Sequence, residues 1–215
     1  MKLYSLPISP FAARVRIALY AKNLSCEIVP PPAEGLRSPQ FLALNPMGKL
    51  PLLVLDDGTR IPESETILEY LEDAHPTVPL RPADPQARAL MRTIVRVTEN
   101  YVTPPMFRLF TQLNPATRDV TVVTAEIERM QQGLGYLQRF IAPECYACEE
   151  RLTLADCCVF PSLHLCEIVA PQLGICDVLQ GTPRVASYFC KAQSEPTLRR
   201  VHDEITAALA QLSSH

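Results

Sequence analysis

No run of like charges interrupts this chain of 215 residues: 20 Lys and Arg stand against 23 Asp and Glu, for a net charge of −3. A nucleic-acid backbone or an anionic membrane is met by a basic patch or stripe, so neither is an expected partner. No apolar stretch reaches the about eighteen residues that a membrane-spanning helix needs. The opening Met-Lys-Leu-Tyr-Ser-Leu-Pro lacks the apolar block of a secretory signal and leads straight into what reads as a strand, which makes a cytosolic protein the expectation. No internal repeat is visible. His75, His164, His202 and His215 are scattered and suggest neither a metal centre nor a catalytic triad. A hydrophobic fraction of 47% and a charged fraction of 20% are those of an ordinary globular protein, long enough for one large or two small domains.

Cysteine, by contrast, is plentiful at eight residues. In a cytosolic chain of this length that does not imply disulfides. Cys145-x-x-Cys148 followed by Cys157-Cys158 has something of a metal-ligand spacing. However, Cys157 and Cys158 follow Thr153-Leu-Ala-Asp156, a helix-capping signature, and read as small apolar helix residues. Adjacent helix residues diverge by about 100°, which makes joint ligation awkward. Reduced, structural thiols and no metal are the expectation.

The most informative stretch runs from Asn45 to Glu72. Leu50 to Leu55 is an apolar run short enough for a buried strand, and Asp57-Gly58 ends it with a type I′ hairpin signal. Arg60 to Pro62 fits a returning strand, its proline at the last residue, where no ladder bond is needed. Glu63-Ser64-Glu65 then opens a helix with Ile67, Leu68 and Leu71 on one face. Pro51 forces Leu50 extended, so the Leu50 backbone N–H and C=O can face outward, and a cis Leu50–Pro51 bond would fix them as a pair for another peptide. Ser64 stands at a helix N-terminus, which attracts an anion, and Glu63 beside it can hold a cationic amine. Together these suit a small zwitterionic peptide; the same residues also read as a helix cap and a turn.

Upstream, Lys2 to Tyr4 reads as a strand and Ser9-Pro10 as a helix start, hydroxyl at N-cap and proline at the first helical position. Val15, Ala18 and Leu19 form the buried stripe of that helix. Cys26 to Val29 is the next strand and Phe41 to Leu44 a short helix, giving β-α-β-α-β-β-α by Ala74, a small mixed sheet with helices on its faces. Ser9 has two readings. As a cap it is worth about 1 kcal/mol. As a catalytic group its hydroxyl would donate to a thiolate: lowering a thiol pKa from about 8.5 by about two units means favouring the anion by roughly 2.7 kcal/mol. One charge-assisted hydrogen bond of ~1.5–3 kcal/mol, helped by the helix dipole, has that size.

The run Asn-Pro-x-Gly-Lys-Leu-Pro…Asp-Gly…Ile-x-Glu-Ser…Ile-x-x-Tyr-Leu resembles the glutathione-site half of the cytosolic glutathione S-transferase family. The resemblance implies that Leu50, ahead of a cis Pro51, pairs with the cysteinyl backbone of glutathione, and that Glu63 and Ser64 take its γ-glutamyl end. Ser-Pro-Phe-x-x-Arg-Val-Arg-Ile-Ala-Leu is similar to the serine-type members, tau and zeta above all and bacterial in style, whose catalytic serine falls on Ser9; Tyr4 and Ser5 are weaker candidates. Lys49 falls where tau-like members hold the glutathione carboxylate, and also reads as a solvated loop lysine. Two departures from the zeta pattern matter: Phe11 stands where zeta members carry a cysteine, and Ile168 where they carry an arginine for a substrate carboxylate. Both argue against maleylacetoacetate isomerase activity and leave glutathione binding untouched.

Four prolines in the eleven residues from His75 through Pro85 read as an extended linker, residues 75–85. Beyond it helical periodicity dominates, from about Asp84 towards Phe110 with a break at Pro104-Pro105, from Thr117 to about Ile141, from Leu154 behind its Thr153/Asp156 cap, from Pro183 to Gln193 and from Thr197 to Leu212. In the family the Thr-Leu-Ala-Asp box caps a core helix, so Asp156 is assigned to folding. The fold implied is an α/β thioredoxin-like domain over residues 1–78 and an all-α helical bundle over 86–215. A second, hydrophobic substrate is expected between them against Phe11, Tyr101, Met106, Phe107 and Phe110, each of which also reads as ordinary core. The implied function is a homodimeric glutathione transferase with glutathione as co-substrate, Ser9 stabilising its thiolate for attack on a hydrophobic electrophile. The alternatives are a zeta-type isomerase or dehalogenase and a non-catalytic glutathione-binding member. A thiol oxidoreductase is disfavoured, because none of Ile8, Ser9 and Pro10 is a cysteine.

Overall fold

The computed structural model describes residues 1–213, so His215 lies outside it. The chain forms two compact units: Met1–Leu80 together with the chain from Arg200 onward, and Arg81–Arg199. The first unit holds β1 (Lys2–Tyr4), α1 (Pro10–Ala21), β2 (Glu27–Val29), α2 (Pro39–Leu44), β3 (Leu52–Val54), β4 (Arg60–Pro62) and α3 (Ser64–Ala74). Its sheet has the order β2-β1-β3-β4, with β1 parallel to β2 and the other pairs antiparallel. Leu3, Leu52, Leu53, Ile67, Leu68 and Leu71 are buried in its core.

Three details differ from expectation. Only Gly58 of the Asp57-Gly58 pair has positive φ, +87°, while Gly58 N–H donates to Leu55 O and Leu55 N–H to Thr59 O. The hairpin is therefore a type I turn followed by a left-handed glycine, not type I′, which needs positive φ at both central residues. Helix α1 is buried on every face from Ala12 to Leu19, Arg14 and Arg16 included, rather than along one stripe. One of those faces is covered by the chain beyond Arg200, where Glu204 pairs with Arg16 at 2.9 Å. The division into units accordingly departs from the expected 86–215 at this last helix.

The start of the linker is pinned to the first unit by an ion pair. Lys22 Nζ lies 2.6 Å from Glu72 Oε1, with the two side chains 1% and 2% exposed. Lys22 also donates to His75 O and Val78 O, and Glu72 accepts from Leu80 N–H. Two charges so far from water persist only when paired and hydrogen-bonded in this way.

The second unit is helical: α4 (Pro85–Val97), a π-turn over Thr98–Val102, α5 (Thr103–Phe110), α6 (Val120–Leu137), α7 (Leu154–Gln172), α8 (Pro183–Ala192) and the start of α9 (Pro196–Ser213). The expected break at Pro104-Pro105 sits one turn upstream. A proline lacks the N–H for the i−4 carbonyl and its ring crowds that carbonyl. The disturbed carbonyls are those of Asn100 and Tyr101, inside the π-turn. Helix α7 is long and apolar enough to cross a membrane by length and composition, contrary to the reading of the sequence, but it is the buried core helix of this unit. Cys157 and Cys158 are buried within it. Its capping box is complete: Asp156 accepts from Thr153 N–H and Thr153 Oγ1, and also from Ala147 N–H at 2.7 Å and Tyr188 Oη at 3.1 Å.

Candidate functional site

The register of the sheet gathers the site. Tyr4 pairs with Leu52 and Leu52 with Pro62, so the last residue of β1, the first of β3 and the last of β4 form one row at one end. The loop to Ser9, the Leu50–Pro51 segment and the Glu63-Ser64 corner all join the sheet at that end.

Ser9 is the N-cap of α1 in extended conformation, and its Oγ accepts from Ala12 N–H at 3.3 Å. That bond uses a lone pair and leaves the O–H to donate to an anion. Ser5, by contrast, is buried and its Oγ accepts from Arg16 Nη1 at 2.8 Å. Tyr4 packs edge-on against Phe41. Neither shares the position of Ser9 at the head of a helix.

The Leu50–Pro51 peptide is cis. The loop before it is built around Asn45, which is buried and whose side chain donates to Lys49 O and accepts from Met47 N–H. Gly48, at φ +57°, passes so close to Leu36 O that a Cβ would stand 2.7 Å from it. Lys49 is exposed. At the third corner Glu63 has φ +67°, ψ +120° and is exposed, while Ser64 is buried as the first residue of α3. A non-glycine held there costs about 1–3 kcal/mol, strain that collects at functional sites. Glu63 makes no side-chain capping bond, so its carboxylate does not close off the first N–H groups of α3.

The apolar candidates are placed unevenly. Met106 is wholly buried in the core of the second unit, which removes it from any open surface. Tyr101 is 50% exposed with its ring against Tyr136, and lines a groove of about 970 Å³ with Val97, Gln132, Arg139 and Phe140. Phe107 is half-buried and Phe110 exposed. In the first unit Phe11 is half-buried, with the Arg14 guanidinium 4.9 Å from its ring centre.

Burial pushes the Cys148 thiol up to about 11 and raises that of Cys145 too, which disfavours the thiolate at both. No group of three or more His, Cys, Asp or Glu suited to a metal ion occurs among the described residues. Neither Asn45 as loop organiser nor the network behind Ser9 was legible in the sequence. A charged residue inside an otherwise apolar helix was the available signal for Arg16; its partner Glu204 lies 188 residues away.

Residues 3–80 match the N-terminal domain of the glutathione S-transferase family. A maleylacetoacetate isomerase of Pseudomonas aeruginosa is 30% identical over 208 residues, covering 94% of this chain and 95% of its own. A glutathione S-transferase of Pseudomonas putida is 26% identical over 97% of this chain and 94% of its own. Among solved structures, a glutathione S-transferase of Methylobacterium radiotolerans in complex with glutathione sulfonate is 26% identical with a TM-score of 0.78, over 93% of both chains.

Proposed function

The chain belongs to the glutathione S-transferase family, and from that premise we propose that it binds reduced glutathione at the end of its sheet and that Ser9 activates it. In this reading Leu50 pairs with the cysteinyl backbone. Glu63 and Ser64 receive the γ-glutamyl group, and Lys49 the other carboxylate. The Ser9 hydroxyl donates to the sulfur, which sits at the head of α1. A hydrogen bond to the anion and the helix dipole together supply the roughly 2.7 kcal/mol that a two-unit depression of the thiol pKa requires. The thiolate then attacks a hydrophobic electrophile. The same reading makes the protein a cytoplasmic homodimer, the state typical of the family.

The observation that carries the reading is the row Tyr4–Leu52–Pro62, which supports one shared site for the three segments. Its test is turnover of glutathione with 1-chloro-2,4-dinitrobenzene, wild type beside Ser9→Ala, with glutathione affinity measured by calorimetry. The expected result is a loss of at least tenfold in kcat with affinity kept. Binding by both proteins without turnover of any electrophile would favour a non-catalytic member, and absence of binding would sink the proposal.

The 30% identity to a protein named maleylacetoacetate isomerase favours a second reading, in which the thiolate is returned unconsumed after isomerisation. Phe11 and Ile168 weigh against it. Assay with maleylacetoacetate separates the two.

A further inference from the structure

Behind Ser9 a partly buried polar chain reaches to the C-terminal helix. Arg16 projects from α1 with its side chain 3% exposed. Its Nη2 donates to Pro7 O at 2.8 Å, its Nη1 to Ser5 Oγ at 2.8 Å and to Leu6 O at 3.3 Å. Leu6 O also accepts from Ser9 N–H at 3.1 Å, so one carbonyl joins Arg16 to the backbone of Ser9. On its other side Arg16 Nε donates to Glu204 Oε2 at 2.9 Å. Glu204 Oε1 accepts from Tyr20 Oη at 2.8 Å and lies 3.4 Å from Arg200, whose guanidinium stacks 3.6 Å over the Tyr20 ring.

We propose that Glu204 and Arg16 are positioning residues for the reaction: α9 holds the Arg16 guanidinium, and Arg16 holds the Leu6–Pro7 carbonyls that set where the Ser9 hydroxyl points. The inference rests on the reading of Ser9 as the group that stabilises the thiolate. The alternative, that α9 fixes the loop by apolar packing alone, fits less well. A cavity of about 330 Å³ lies between them, bounded by Pro7, Ile28, Ala207 and Ala208 as well as by the pair itself. Across that gap the charged pair is a direct link. A carboxylate is the suitable partner, because a buried guanidinium without one is costly and seeks other acceptors. The acceptors within its reach are the Ser5 hydroxyl and the loop carbonyls, whose geometry then changes.

The test is a thiolate titration of bound glutathione by ultraviolet absorbance, with kcat and KM, on wild type, Ser9→Ala, Glu204→Ala and the double variant. Glu204→Ala is expected to lower kcat about tenfold and to move the thiol titration towards that of free glutathione. KM for glutathione should change less than twofold, since Leu50, Glu63 and Ser64 are untouched. In the Ser9→Ala background the further effect of Glu204→Ala should vanish, because the relay acts only through Ser9. Glu204→Gln, which keeps an acceptor for Arg16 but not the charge, should lose only about threefold in kcat with a smaller shift of the titration, and decides alone if the alanine variant does not fold. An unchanged titration in folded Glu204 variants overturns the proposal, as does an effect that persists in full without Ser9 or a common loss of kcat and affinity. If Ser9→Ala itself leaves the titration unmoved, the reading of Ser9 fails and the relay fails with it. A shift with Ser9→Ala and none with Glu204→Ala removes the relay alone.

Discussion

An added methyl group at Gly133 would point into the backbone carbonyl of Tyr101, well inside hard contact. Gly133 lies on α6, where alanine is ordinarily better than glycine by about 1 kcal/mol. Here the obstacle is backbone in the π-turn, which cannot swing aside as a side chain can. Overpacking of this kind costs about 1–3 kcal/mol and sometimes more. The expected outcome for Gly133→Ala is a net loss of roughly 2 kcal/mol, read as a fall of about 4–8 °C in melting temperature. Unchanged or raised stability would mean that α6 and the π-turn are less tightly docked than the structure has them. Neither glycine nor π-turn was legible beforehand, since a glycine in a helical pattern has no mark of what passes beside it. Ser9-Pro10 was legible, because a cap and a first-turn proline are local chemistry. Glu63 was legible as a helix start but not as a left-handed residue, for its φ is imposed by the corner between β4 and α3.

At the scale of elements the anchor of the linker is the part the sequence concealed. Lys22 follows α1 and Glu72 ends the buried face of α3, and nothing in either pattern marks them as a pair. Their burial makes the consequences of substitution asymmetric. Lys22→Met deprives a buried carboxylate of the ammonium beside it and strips His75 O and Val78 O of a donor. The expected cost is about 3–5 kcal/mol. Adding Glu72→Leu removes the buried charge and should return part of that cost, while the backbone groups keep the recovery incomplete. Denaturant midpoints of the two variants check this: equal stability would show that the charge is not what matters. The helices themselves were legible where caps and breakers mark them, as with Asp84-Pro85 and the Thr153/Asp156 box, whereas the helix expected from Thr117 begins at Val120 behind Asp119. The break at Pro104-Pro105 was legible in kind and misplaced by a turn, because a proline acts on the carbonyl four residues before it.

For the whole molecule, the order of elements was readable from period and punctuation. The return of the chain beyond Arg200 to the first unit was not, because a contact 188 residues apart has no local signature. The buried network around Asp156 bears on global stability in a way that pH can test. Burial pushes its carboxyl up to about 6, against the pull of the donors from Thr153, Ala147 and Tyr188. Two of those donors are hydroxyls, which can turn to accept, so a proton on the carboxyl finds a partner. With the native pKa above the unfolded one, the native state binds more protons between the two, and this group's contribution to stability is greatest below the unfolded value and declines as pH rises towards 6. Acidification from pH 7.5 to 4.5 should therefore stabilise the wild type relative to Asp156→Asn by roughly 2 kcal/mol, at 1.36 kcal/mol per unit below the native pKa. The variant is less stable at both values, since an amide cannot serve all the donors; the change in the gap is the measurement. A gap that narrows on acidification would mean that the donors outweigh burial and hold the carboxyl down.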